Sequence, residues 1–232
     1  MPEKPIFGQL RDLDQAVERE IAKYLDQHLY NAPTFESIER ISDENAQKRG
    51  KDIVVSSVAL KLDKVIIDEK SASHYVNITN LHTFVFELTF YRKDGNQQYT
   101  ILTDGWLTSP SMVTDYYLLV WPFAKEDQII KYRFKGKDYP YFKCEDITSL
   151  DYALVSRAKI KEYLKEQGFD DKWLGITMMT IRKHAAVQDN PYFKERFRNL
   201  VFSCSNQLNE RPVNVLIEKD VLFDLALICG TC

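Results

Sequence analysis

The chain has 232 residues, 44% hydrophobic, 28% charged and 12% aromatic, enough to bury a sizeable core and too aromatic for a disordered segment. Its net charge of −3 excludes a histone-like binder that grips nucleic acid by bulk charge, but leaves room for carboxylates that handle a phosphate through a metal. No apolar run approaches the roughly 20 residues of a bilayer span and no signal peptide opens the chain, so a cytoplasmic protein with no membrane partner is expected.

After a lead-in with two prolines and a glycine, the pattern from about Leu10 to Leu29 is helical. Leu13, Val17, Ile21, Tyr24, Leu25 and Leu29 recur at three- and four-residue steps. At about 100° per residue, Glu20 falls among Val17, Ile21 and Tyr24 while Glu18 points away toward solvent. An inward Glu is either a side chain snorkelling from the helix face or a member of a site on the sheet below.

Residues 31–50 are polar and lead to Gln47 and the basic trio Lys48, Arg49 and Lys51 just before Asp52. Strands are expected at Asp52–Val58, Lys64–Ala72, Leu81–Tyr91, Gln98–Leu107 and Thr114–Phe123, the last halted by Pro122. Side chains alternate along a strand. Ile66, Asp68 and Lys70 therefore share one face of the second strand, and Val65, Ile67 and Glu69 the other.

From Lys125 to Lys143, Lys131, Arg133, Lys135, Lys137 and Lys143 are interleaved with Tyr132, Phe134, Tyr139, Tyr141 and Phe142. That composition suits either contact with a phosphate backbone and unstacked bases or an edge hairpin guarded by lysines. Helices are expected over Ser149–Gln167, over Lys172–His184 with Trp173, Leu174, Ile176 and Met179 inward, and over Asp220–Ile228. A hairpin joins Leu200–Cys204 to Val213–Ile217. The cysteines Cys144, Cys204, Cys229 and Cys232 lack the paired spacing of a zinc ribbon. The terminal CGTC is either a redox pair or a frayed tail.

Two carboxylates and an ammonium thus meet in an apolar hairpin: Asp52 opens one strand, and Asp68 and Lys70 end the next. Such oxygens are hard ligands for Mg²⁺ or Mn²⁺. A metal there would polarise a phosphodiester and acidify a bound water, with Lys70 orienting that water or balancing transition-state charge.

Glu20 on the first helix, Asp52, and Asp68-x-Lys70, within the phrases QKRGKD and VIIDEKSA, resemble the PD-(D/E)XK nuclease superfamily, to which many restriction endonucleases belong. The resemblance covers roughly the first 120 residues. It departs from the pattern in having Lys51 rather than Pro before Asp52, and Asp68 rather than the more frequent Glu. It implies a mixed α/β fold with a restriction endonuclease-like core over about 10–125, a central mixed sheet flanked by helices, and a C-terminal α/β elaboration over about 126–232 of one domain. It also implies divalent-metal hydrolysis of DNA, with Asp52, Asp68 and Glu20 as metal ligands and Lys70 as the catalytic lysine. Gln47 stands where some members place an auxiliary residue. Lys48, Arg49, Lys131, Arg133 and Lys135 are the expected nucleic-acid contacts, and a homodimer would supply the two active sites that cutting both strands calls for. The competing reading is a nuclease-fold module that has lost cleavage and binds nucleic acid or a protein partner.

Overall fold

Alternating apolar residues through the middle of the chain build two sheets, and the helical period at its start covers one of them. The computed structural model describes residues 5–188 and 191–232. In chain order come α1 (Leu10–His28), β1 (Ser37–Arg40), α2 (Glu44–Gln47), β2 (Ile53–Ser57), β3 (Leu62–Ser71), β4 (Thr83–Lys93), β5 (Tyr99–Asp104) and β6 (Tyr116–Ala124). The hairpin β7 (Ile130–Phe134) and β8 (Lys137–Tyr141) follows, then β9 (Ile147–Ser156), α3 (Arg157–Glu166) and α4 (Asp171–Val187). The chain closes with β10 (Tyr192–Phe197), β11 (Leu200–Ser205), β12 (Val213–Glu218), α5 (Lys219–Leu225) and β13 (Ile228–Thr231).

The fold is mixed α/β. Its six-stranded sheet runs in the order β1-β2-β3-β6-β9-β13 and is mixed, because β3 and β6 pair in parallel while the other neighbours are antiparallel. A five-stranded antiparallel sheet runs β10-β11-β12-β4-β5. Each sheet joins a block of strands from one half of the chain to a block from the other.

The central strands bury both faces. On β6, Leu118 and Val120 join Ile53, Val55 and Ile67 beneath Leu13, Val17, Ile21 and Leu25 of α1. Tyr117, Leu119 and Trp121 point the other way, onto Phe86 and Leu88 of β4, Val215 of β12 and residues of α3, α4 and α5. Each large side chain of this kind contributes about 1.5–3 kcal/mol by leaving water. The helical cover is therefore α1 on one face, while the opposite face is covered mainly by the second sheet.

Double-sided burial also explains the element that the periodicity misplaces. Ser149–Gln167 is not one helix: β9 runs to Ser156, and only Arg157–Glu166 is helical. Leu150 and Leu154 fill one core while Ala153 and Val155 fill the other. A strand buried on both sides is apolar at three- and four-residue steps as well as at two, so spacing alone does not separate it from a helix.

Three smaller differences follow the same logic. Pro122 does not halt β6, which continues to Ala124. Past Val120 its partner β3 has ended, and a ring without an N–H is tolerated on such a free edge. The helix α4 buries Leu174, Thr177, Ile181 and Ala185, leaving Trp173, Ile176 and Met179 exposed. Nor is the C-terminus frayed: β13 pairs with β9, and Cys232 exchanges backbone hydrogen bonds with Leu150.

Candidate active site

The site begins where β2 and β3 lie side by side. The Asp52 N–H donates to the Ile67 carbonyl, at 3.1 Å. Its carboxylate crosses to β3 and accepts the Glu69 N–H at 2.8 Å. That clamp sets the Asp52 carboxyl beside Asp68, close enough for the two to share a proton. Burial, and then the neighbouring Asp68 charge, push the Asp52 carboxyl up to about 8.

Asp68 has no solvent exposure. Its Oδ1 accepts from the Lys70 ammonium at 2.5 Å, while its Oδ2 is buried and has no hydrogen-bond partner. A buried carboxylate oxygen without a partner is costly, and such an atom invites a cation or a proton. Lys70 lies 5.7 Å from the centre of the Trp106 ring, within cation–π range. Burial alone would lower the pKa of its ammonium. Asp68 and Asp52 outweigh that and hold it above the ordinary lysine value.

Backbone geometry closes the back of the site. Gly50 has φ +72°, and a Cβ there would run into Thr114 Oγ1, come within 2.7 Å of Met112 and lie 3.1 Å from Asp68 Oδ2. Thr114 donates to the Gly50 carbonyl at 2.9 Å. Glycine is required both by the left-handed backbone and by the absence of room.

Period two sorted the faces of β3 correctly. Glu69 points toward α1, where the Tyr30 hydroxyl donates to it at 2.8 Å and Arg40 bridges it to Asp26, also at 2.8 Å on each side. Its carboxylate fastens β1 and α1 to the sheet on the wall of the cleft, and only its N–H serves Asp52.

The wheel placed Glu20 on the covered side of α1, where its side chain is 17% exposed, but its partners there are not Asp52 and Asp68. Glu20 accepts from Lys23 at 2.7 Å and from the Cys144 N–H at 3.0 Å, so it fastens α1 to the 3-10 turn Cys144–Asp146. Glu18 is exposed, as expected, and stands at the open side of a cleft that Asp52 and Lys70 also line. The protein around Glu18 pushes its carboxyl above the usual range, offset in part by Lys70; Asp14, Asp68 and His74 are its other charged neighbours. The cleft has a volume of about 870 Å³ and also takes in Gln47 and Lys48. Gln47 is turned to the Ile41 carbonyl at 2.7 Å, and Lys48 is a weak partner of Glu44 at 3.7 Å. Arg49 reaches the Ser111 carbonyl at 3.4 Å, on the loop behind the site.

Lys131 and Arg133 are exposed on β7, and Lys135 lies in the hairpin turn with φ 47°. The aromatic residues between them turn inward. Tyr132 packs on Phe7 at 5.0 Å, and Tyr139 on His74 at 5.0 Å. The hairpin thus presents bases without a stacking platform, and His74, paired with Asp14 at 2.7 Å, joins its rim to the cleft.

Two contributors carried no signal in the sequence. Trp106 comes from the loop after β5. Beneath it, Glu87 of β4 accepts the Trp106 N–H, and burial and Glu210 push its carboxyl up to about 7. Both reach the site only because the second sheet folds against the first.

The donor set fits a hard divalent cation. Asp52 and Asp68 offer carboxylate oxygens, one of them unpartnered, and Mg²⁺ commonly takes one or two carboxylates while keeping several waters. Among the described residues no group of three or more His, Cys, Asp or Glu side chains forms a fuller cage. Also among them, no helix is long and apolar enough to cross a membrane. Set against models of known protein families, curated proteins and solved structures, the chain matches none of them.

Proposed function

We propose that this chain is a Mg²⁺- or Mn²⁺-dependent nuclease that hydrolyses DNA phosphodiester bonds, built on a restriction endonuclease-like core of α1, β2, β3 and β6. The observation that carries this reading is the buried Asp68 carboxylate, with one oxygen on Lys70 and the other unpartnered beside a second carboxyl group. Two buried carboxyl groups side by side coexist only with a proton or a cation between them, and a divalent cation can take the proton's place.

Asp52 and Asp68 would hold the cation, which when bound supplies Lewis-acid polarisation of the phosphoryl oxygen and a more acidic water. Lys70 is held on Asp68 with the Trp106 ring beside it, where its charge opposes the negative charge that builds on the phosphoryl oxygens. Glu18 faces the cleft with a carboxyl raised above the usual range, which suits it to take a proton from the attacking water. Lys48, Lys131, Arg133 and Lys135 are exposed, where they would position the phosphate backbone.

Incubating the pure protein with plasmid DNA and Mg²⁺ or Mn²⁺ is the test. Cleavage is expected, with loss in Asp68→Ala and Lys70→Ala variants that keep their circular dichroism. Undiminished cutting by both variants would reject the assignment. One observation favours a second reading, an inactive nuclease-fold module binding nucleic acid or a protein partner: Lys70 is already closed onto Asp68. Calorimetric titration with Mn²⁺ separates the two, since an inactive module needs no metal at Asp52 and Asp68.

A further inference from the structure

The helix α4 is apolar on two sides but buried on one. Leu174, Thr177, Ile181 and Ala185 face the core, while Trp173, Ile176, Met179 and Val187 are exposed. A helix that is apolar nearly all round is normally covered all round, and an exposed apolar face marks an interface.

Its sequence specifies what covers it. Asp171, Gly175, Met179 and Lys183 stand at successive steps of four, so they form one ridge about 18 Å long, inclined to the helix axis and off its buried face. Gly175 has open space where a Cβ would point, and Met179 is 72% exposed. A glycine inside a helix is unfavourable relative to alanine, and here nothing within the chain requires it. It leaves a notch one turn from a knob.

We propose that α4 is the interface of a homodimer, packed antiparallel against α4 of a second copy about a two-fold axis between Gly175 and Met179, level with Thr177 but on the side of the helix away from the core. The ridge is self-complementary in that arrangement alone. The axis sets Asp171 opposite Lys183 of the second copy and Met179 into the notch at its Gly175, and the same two contacts repeat on the other side. Reciprocal contacts are what a two-fold interface demands. Antiparallel helices also bring each acidic N-terminal end beside a basic C-terminal end. Ile176, three residues before Met179 and exposed like it, extends the apolar part of the seam. The assignment does not depend on nuclease activity.

Sedimentation velocity of the full chain at increasing concentration tests it. One helix pair is a small interface, so dimers with a Kd on the order of 10 µM are expected. Asp171→Lys and Lys183→Asp should each weaken association about tenfold, and the double reversal should restore it, because the charges still meet with opposite sign. Gly175→Leu fills the notch and should give monomers, with unchanged circular dichroism; this variant leaves the helix-end charges alone. A wild-type chain that stays monomeric to about 100 µM overturns the proposal. So does a dimer indifferent to Gly175→Leu and to both single reversals, which would place the contact on another face.

Discussion

Asp68 and Lys70, two residues apart on one face of β3, close an ion pair of 2.5 Å in which the carboxylate is wholly buried and the lysine side chain is 31% exposed. The two partners are therefore unequal. Lys70→Met leaves a buried carboxylate without its cation, at a cost of about 3–5 kcal/mol while it stays charged. Asp68→Asn keeps the shape, frees Lys70 to turn toward solvent and removes a charge from beside Asp52, so its cost is expected near zero. Urea unfolding at pH 8 should place the Lys70→Met midpoint well below that of Asp68→Asn at equal slope. The reverse order would mean that the ammonium, not the carboxylate, is the desolvated partner.

Glu18 and Glu20 give a second contrast. Glu18 lines the cleft with Lys70, whereas Glu20 is spent on Lys23 and the Cys144 N–H. Glu18→Gln should lower cleavage at least tenfold with little change in melting. Glu20→Gln should leave cleavage intact and cost under about 1 kcal/mol, the value of a mostly exposed pair and one hydrogen bond. Plasmid cleavage and thermal melts on both variants check the assignment; equal activities would remove Glu18 from the site.

The pair also shows where the sequence stops being informative. That Asp68 and Lys70 meet on one face of β3, with the Glu69 carboxylate on the other, was legible because period two along a strand allows one arrangement of faces. On α1 the buried arc includes Leu25, about 20° from Glu18 around the helix. Both acids therefore border apolar surface, and only the position of the cleft chooses between them. That position depends on how α1 crosses the sheet, which no local pattern encodes. Trp106 and Glu87 were invisible for a related reason: they arrive through the packing of the second sheet. On α4 the helical period sets Trp173, Ile176 and Met179 inward with Leu174, yet only Leu174 is buried, because periodicity does not tell an inward face from one meant for another chain.

Gly50 supplies a prediction about the floor of the site. With φ +72° and Thr114 and Met112 pressing on the position of a Cβ, Gly50→Ala must strain the backbone and displace those side chains together. A loss of more than about 2 kcal/mol is expected, above the usual surface substitution. Because Asp68 Oδ2 lies next to the same point, cleavage should fall further than stability explains. A Gly50→Ala protein that melts like the wild type would show that the loop moves freely away from Asp68.

Asp52 and Glu87 make the protein's response to pH run against the ordinary carboxylate case. Both carboxyls are raised in the folded chain, Asp52 from 3.8 to about 8 and Glu87 from 4.5 to about 7. Between the unfolded and folded values the native state holds more protons than the unfolded one, so stability falls as pH rises. Metal-free protein should thus be more resistant to urea at pH 5 than at pH 8.5, and Glu87→Gln should flatten the part of that decline lying between about pH 4.5 and 7. The cation acts in the opposite sense. It needs the form of the Asp52–Asp68 pair that has lost its proton, so Mn²⁺ affinity should climb up to about tenfold per pH unit below pH 8 and level off above it. Unfolding at the two pH values, with and without Mn²⁺, reads both effects. If Mn²⁺ stabilises the protein equally at pH 6 and pH 8.5, the cation is not displacing a proton shared by Asp52 and Asp68.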